Sequence, residues 1–284
     1  MTMTSPARAA LLEQLRAARI AGEVATPREN NLLHYRLLAD RDPHYLLGLD
    51  PSRDLNAESV LELMAKRVGV SPDPTHRFGT DTIDPELTVA ALDRYADRLA
   101  AAVLRRETVL FATGHPNSLA ALYQRFADAL RARGCGILRA GEGWGYDATT
   151  RYGTRRLTIG FSAAHSAASP EGGDVAALED AGVPVHSHAA RPIRATFAAL
   201  AAAGQALPDL VVADHGWCGG AAQAGADAIG FADCNDPALF VGEHEGVVRV
   251  SVPLDDGLAP AVYEPLGGYV LGRLDAAVRA VAGS

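Results

Sequence analysis

ETVLFATGHPNSLAALYQRF, residues 107–126, decides the fold. Thr108 to Ala112 is a short apolar run of the kind that fills a strand buried on both faces. It ends at Thr113-Gly114-His115-Pro116, where glycine allows a sharp turn and proline opens a helix. Helical spacing then runs from Asn117 or Ser118 to Arg133, with Leu119, Leu122, Phe126, Ala129 and Leu130 on one face. Downstream the pattern repeats. Cys135 to Ala140, Leu157 to Phe161 and Val183 to Val185 read as strands, and Ala195 to Ala203 as a helix. Asp209 to Ala213 is a buried-strand run, followed by helix to about Ala224. Asp227 to Ala232 and Val247 to Val252 are two further strands, and a helix from about Pro265 to Ala282 closes the chain. Alternating strands and helices predict an α/β fold with a Rossmann-like, mainly parallel sheet over residues 106–284. In such sheets ligands bind beyond the carboxyl ends of the strands.

Upstream, residues 1–105 read as a helical portion, continuous with the sheet or separate from it. Ser5-Pro6 is a start signal, with Leu11, Leu12, Leu15 and Ile20 at helical spacing. Asn30 or Asn31 starts a second helix through Leu33, Tyr35 and Leu38. Asn56 starts a third, with Val60, Leu61, Leu63 and Met64, closed by Gly69. Asp84-Pro85 starts a fourth, carrying Leu87, Val89, Leu92, Tyr95 and Leu99. The intervening SPDPTHRFGTDTIDP, residues 71–85, is rich in Pro, Asp and Thr and reads as a loop.

The 284 residues are 48% hydrophobic and 21% charged, which is globular rather than disordered composition. The net charge of −8 comes with no basic run, so nucleic acid is not an expected partner. Cys135, Cys218 and Cys234 form no CxxC pair, which argues against a disulfide framework or a thiolate zinc site. The N-terminal stretch is broken by Arg and Glu and lacks a signal-peptide core. No run approaches the roughly 20 apolar residues of a membrane span. A cytoplasmic location without membrane contact is the expectation.

Four clusters could carry chemistry, and three of them, at Gly114, Asp214 and Asp233, directly follow a short apolar run. Gly114-His115-Pro116-Asn117-Ser118 is a strand-to-helix turn whose amides form a ready anion site; Gly114, Asn117 and Ser118 are candidate phosphate contacts. His186-Ser187-His188 puts two imidazoles on one face if extended, with Arg191 and Arg194 close behind as further phosphate contacts. Asp214-His215-Gly216-Trp217 ends a buried strand. Asp214 there is a cation ligand, an acid–base group or merely a helix cap. Asp233-Cys234-Asn235-Asp236-Pro237 offers oxygen ligands at Asp233 and Asn235, although Asn235 and Asp236 equally suit a turn into a helix. There is no GxxxxGK[ST], no well-placed GxGxxG, no GxSxG, no DxDxT and no HExxH.

LLGLDP (46–51), DTIDPELTVAALD (81–93), ATGHPNSLAALY (112–123), HSHAARPIR (186–194), ADHGWCGGAAQAGADAIGFADCNDPALFVGEHEG (213–246) and VPLDD (252–256) together resemble a little-characterised bacterial family of about this length known simply as phosphatase. The resemblance spans most of the chain and implies hydrolysis of a phosphate ester. Combined with the clusters, it leads to hydrolysis of a phosphate monoester of a small metabolite. His115, Asp214, His215 and Asp233 are the candidate catalytic residues. Asp214, Asp233, Asn235, His186 and His188 are candidate ligands for a divalent cation (Mg²⁺, Mn²⁺ or Zn²⁺). A metal-free route, with His115 as nucleophile and Asp214 as its acid–base partner, stays open. So do a non-catalytic binding protein for a nucleotide or phosphorylated small molecule, and a synthase or lyase. A homo-oligomer is compatible with the sequence.

Overall fold

The computed structural model describes residues 6–150, 153–163 and 172–282. The N-terminal portion comprises α1 (Pro6–Ala17), β1 (Gly22–Pro27), α2 (Arg28–Ala39), α3 (Ala57–Arg67), β2 (Thr80–Ile83) and α4 (Pro85–Arg105). α1 starts at Pro6 as expected, while Ser5 lies outside the described residues. Asn56 caps α3 in a reciprocal box: its Oδ1 accepts from the Ser59 amide at 2.9 Å, and Ser59 Oγ accepts from the Asn56 amide at 3.0 Å. Asp84 caps α4 through the Glu86 amide, with Pro85 in the first turn.

The purely helical expectation for this portion needs correction. β1 and β2 pair as an antiparallel ribbon, and β2 falls in the stretch expected to be loop. The ribbon forms around a buried charge. Arg28 is fully buried at the start of α2, where its Nη1 donates to Asp81 Oδ2 at 2.9 Å. Its other nitrogens donate to the carbonyls of His76 and Asp73. Asp81 also accepts from Asn31 Nδ2 and the Ser71 amide. These polar partners, rather than apolar alternation, fix the segment.

The remainder runs β3 (Thr108–Ala112), α5 (Pro116–Ala132), β4 (Gly136–Ile137), β5 (Gly145–Thr150), β6 (Gly153–Gly160), β7 (Val175–Asp180), β8 (Val183–Val185), α6 (Arg191–Ala202), β9 (Leu210–Val212), α7 (His215–Gln223), β10 (Ala228–Ala232), α8 (Pro237–His244), β11 (Val250–Pro253) and α9 (Glu264–Ala282). The sheet order is β11-β10-β9-β3-β7-β6-β5, with β4 also on β3 and β8 also on β7. β11, β10, β9, β3 and β7 run parallel, as does the β4 pairing. β5, β6 and β8 enter antiparallel. The fold is therefore α/β with a large, mostly parallel sheet. It departs from a regular Rossmann sheet because β4 and β7 share one flank of β3 and the far edge is an antiparallel meander.

From β3 the chain first adds strands on one side and then returns to add β9, β10 and β11 on the other. The switch point lies between β3 and β9, where a doubly wound sheet opens a crevice at its carboxyl edge. One apolar core runs from Leu11 in α1 to Leu274 in α9. Tyr95 of α4 and Tyr123 of α5 both stack on Phe231 of β10, at 5.0 and 5.6 Å between ring centres. The N-terminal portion is tied to the strand-end loops by polar contacts. Tyr35 donates to the Cys234 carbonyl at 2.7 Å, Thr88 to the Pro253 carbonyl at 2.8 Å, and the Asp255 amide to the Ile20 carbonyl at 2.8 Å. These bonds close the N-terminal elements over the crevice.

Candidate active site

A cleft of about 520 Å³ lies at the switch point. His115 enters it from the turn after β3, His186 and His188 from the loop after β8, and His215 from the end of β9. Asp233 and Asp236 follow β10, and Asp255 and Asp256 follow β11. The N-terminal portion adds Thr26, Asn30, His34, His44 and Tyr45.

Two glycines let these segments meet. A Cβ on Gly114 would stand 2.4 Å from the Ser187 carbonyl oxygen and 2.9 Å from His215 Cβ. A Cβ on Gly216 would stand 2.3 Å from the His188 carbonyl oxygen. The imidazoles consequently form one cluster. The His115 and His186 rings lie 4.1 Å apart, His115 and His215 4.5 Å, and His188 and His215 4.6 Å. His44 stacks on the outer face of His188 at 4.2 Å.

His215 is the hub. It is buried and adopts φ +47°, a left-handed conformation that is strained for a side chain with a Cβ and that concentrates at functional sites. Its Nδ1 lies 2.9 Å from Asp214 Oδ1 and 3.4 Å from His115 Nδ1. Its Nε2 lies 3.2 Å from Asp236 Oδ2 but makes no aligned hydrogen bond. Asp214 also accepts from Thr113 Oγ1 and the Gly114 amide, both at 2.6 Å. His115 Nδ1 comes within 3.5 Å of Asp256 Oδ2.

Electrostatics separate the groups by role. Burial would raise Asp214, but its bonds from His215 and Thr113 hold it below the usual carboxylate range. Asp236 is likewise held low, because the neighbouring His215 outweighs its burial. His215 is pushed up by Asp236 and Asp214 despite burial. Burial and the adjacent His215 push His115 and His188 down to about 3, and push His186 down too. These three rings are neutral, with lone pairs available. Burial and the nearby Asp255 raise Asp233 to about 7. Burial also raises Asp256, with Asp233 and Asp236 adding to the effect.

A family model described as Phosphatase matches residues 6–278, nearly the whole chain. The chain belongs to this phosphatase family. The Streptomyces coelicolor protein named Phosphatase SCO2771 is 48% identical over 269 residues, covering 94% of this chain and 96% of its own length. A phosphatase is an enzyme that cleaves phosphate esters, and proton-transfer groups in a cleft are what such an enzyme requires. No described helix is long and apolar enough to cross a membrane.

The structure brings His115, His186, His188, His215, Asp233 and Asn235 to the cleft. Asp214 lies behind His215 rather than on the cleft wall, and its side chain does not cap α7. The capping alternative therefore does not account for Asp214. Nor does it account for Asp236, whose side chain makes no cap bond to α8. The anion-cradle expectation at the β3 turn is corrected. The Gly114 amide is given to Asp214, the His115 amide to Thr113 Oγ1, and the Ser118 amide to the His115 carbonyl. Ser118 is buried, while Asn117 is exposed off the cleft. Arg191 and Arg194 do not reach the cleft either. Arg191 lies over the Tyr146 ring, and Arg194 Nη2 donates to the Gly48 carbonyl. His115 faces Asp256 and His215 rather than Asp214, so the proposed His115–Asp214 pair is not formed.

Sequence reasoning missed His34, His44, Tyr45, Thr26, Asp255 and Asp256 as cleft residues. Asp255 and Asp256 carried the same signal as Asp214, an acidic residue directly after a buried strand run. The others are isolated in sequence and come together only through the packing of the N-terminal portion.

Gly114→Ala tests the assembly. The Ser187 carbonyl oxygen is backbone and cannot rotate away from the added methyl, so a stability loss of about 1–3 kcal/mol is expected. Urea unfolding reads it directly. An unchanged midpoint would mean that the loops have slack the present geometry denies.

Proposed function

We propose that the protein hydrolyses the phosphate monoester of a small phosphorylated metabolite in this cleft. The observation that carries the reading is the convergence, at the strand carboxyl ends, of neutral imidazoles with a carboxyl group raised to about 7. Water adds to phosphorus, the P–O bond to the leaving oxygen breaks, and the products are inorganic phosphate and the alcohol. Asp233, raised to about 7, carries a proton in a large fraction of molecules near neutral pH and lines the cleft, so it supplies the leaving oxygen with its proton. Its carboxyl is positioned by Thr26 Oγ1 and the Cys234 amide. His115 donates a hydrogen bond to a phosphoryl oxygen. The cleft volume of about 520 Å³ suits a small metabolite rather than a protein segment.

The test is phosphate release across a panel of phosphorylated metabolites, with and without chelator and added Mg²⁺, Mn²⁺ or Zn²⁺. Turnover concentrated on one chemical class is expected, with Asp233→Asn losing about 10²-fold or more. Release from none of the panel would overturn the small-metabolite reading.

A further inference from the structure

The cleft lacks a permanent positive charge for its substrate. Asp233, Asp236, Asp255 and Asp256 line it, and no Arg or Lys does so among the described residues. A phosphate monoester brings two negative charges of its own near neutral pH. We propose that one divalent transition-metal ion, held by His188, His215 and Asp236, supplies the missing positive charge. This deepens the hydrolase reading above and rests on it for the substrate.

One ring nitrogen of His188, one of His215 and a carboxylate oxygen of Asp236 lie within 4.8 Å of one another. The contact between His215 Nε2 and Asp236 Oδ2 is 3.2 Å, close to the edge of a tetrahedron whose ligands stand about 2.0 Å from the ion. The ring is oriented from behind. Asp214, which also accepts from Thr113 and Gly114, takes the Nδ1 proton of His215, so an ion arriving at Nε2 displaces only the ring's second proton. A carboxylate behind a histidine is the usual outer support of a metal ligand. His215 Nε2, His188 Nδ1 and Asp256 Oδ2 are all buried without a hydrogen-bond partner among the described residues. Buried polar atoms are normally partnered, so unpartnered nitrogens of His188 and His215 converging beside Asp236 fit a cation between them.

Two imidazoles and one carboxylate suit Zn²⁺, Mn²⁺ or Fe²⁺ better than Mg²⁺ or Ca²⁺. A second triad, His115, His186 and His215, has ligand geometry too. It shares His215 with the first, and the His215 nitrogen beside His115 is Nδ1, which Asp214 engages, so the proposal takes one ion. Bound there, the ion neutralises a phosphoryl oxygen and makes a coordinated water more acidic.

The experiment is metal content after chelator dialysis and reloading with Zn²⁺ or Mn²⁺, read by elemental analysis and titration. One ion per chain is expected. His188→Ala and Asp236→Asn should each weaken binding by at least about 100-fold, and Asp214→Asn by about 10- to 100-fold. His244→Gln, at an exposed histidine on α8, should bind as the parent does. Should a variant fail to fold, X-ray absorption of the loaded parent protein decides. Imidazole and carboxylate ligands at about 2.0–2.2 Å are expected, and a shell of water-like oxygens alone overturns the site. No retained ion, or binding that His188→Ala and Asp236→Asn leave unchanged, also overturns it. A fully active, metal-free enzyme would sink the metal site and leave the hydrolase standing. One bound ion without turnover on any phosphate ester would do the opposite.

Discussion

Asp214→Asn lowers turnover by at least about 10²-fold and leaves the fold in place. Asn keeps an oxygen that can accept from the Gly114 amide, and its amide nitrogen can donate to Thr113 Oγ1, whose hydroxyl rotates freely. What it lacks is the negative charge facing His215 Nδ1 at 2.9 Å. Without that charge the protonated ring held between Asp214 and Asp236 loses one of its two counter-charges. Loss of a carboxylate that orients and charges an imidazole falls within the range that acid–base machinery supplies. Asp214→Ala behaves differently. It strands a buried amide and a buried hydroxyl, which costs about 1–3 kcal/mol for each group. Turnover and thermal midpoint measured on both variants separate orientation from support. A fully active Asp214→Asn enzyme would remove Asp214 from the mechanism.

The parallel part of the sheet was legible because each strand is a short apolar run and each ends in a small or polar turn. Thr108–Ala112, Leu210–Val212 and Ala228–Ala232 could be read without any tertiary information. The strand-end rule then pointed to His115, His215 and Asp233. β5 and β7 were missed for physical reasons. Gly145–Thr150 is an edge strand whose inner face is only half-buried, around Tyr146, so its alternation is weak. Val175–Asp180 carries Ala and acidic residues, which are weak strand formers that only central packing holds extended. Within the site, Asp214 was recognised as important while its position was not. Its neighbours in sequence suggest a helix cap, whereas its partners, Thr113 and Gly114, are about a hundred residues away. Arg191 and Arg194 had the right charge and the right neighbourhood. Their side chains leave the cleft because Tyr146 and the Gly48 carbonyl take them, contacts that no local pattern encodes.

The largest loss of stability is expected at Asp81, far from the imidazole cluster in sequence yet mechanically joined to it. Asp81→Ala leaves the fully buried Arg28 guanidinium without its counter-charge, and Asn31 Nδ2 and the Ser71 amide without their acceptor. Breaking a buried ion pair on one side typically costs about 3–5 kcal/mol, because the remaining charge stays desolvated. The same truncation at Asp147, which pairs with Arg156 at 3.2 Å with both side chains exposed, should cost less than about 1 kcal/mol. Arg28 also opens α2 directly after β1, the strand that carries Thr26 to Asp233. Loosening this junction should therefore lower activity along with stability, through the positioning of Asp233. Urea unfolding gives the stability difference, and phosphate release at a temperature where both proteins are folded gives the activity. Equal stability losses for Asp81→Ala and Asp147→Ala would refute the buried pair as the anchor of the ribbon. Full activity in a folded Asp81→Ala protein would disconnect the ribbon from the cleft.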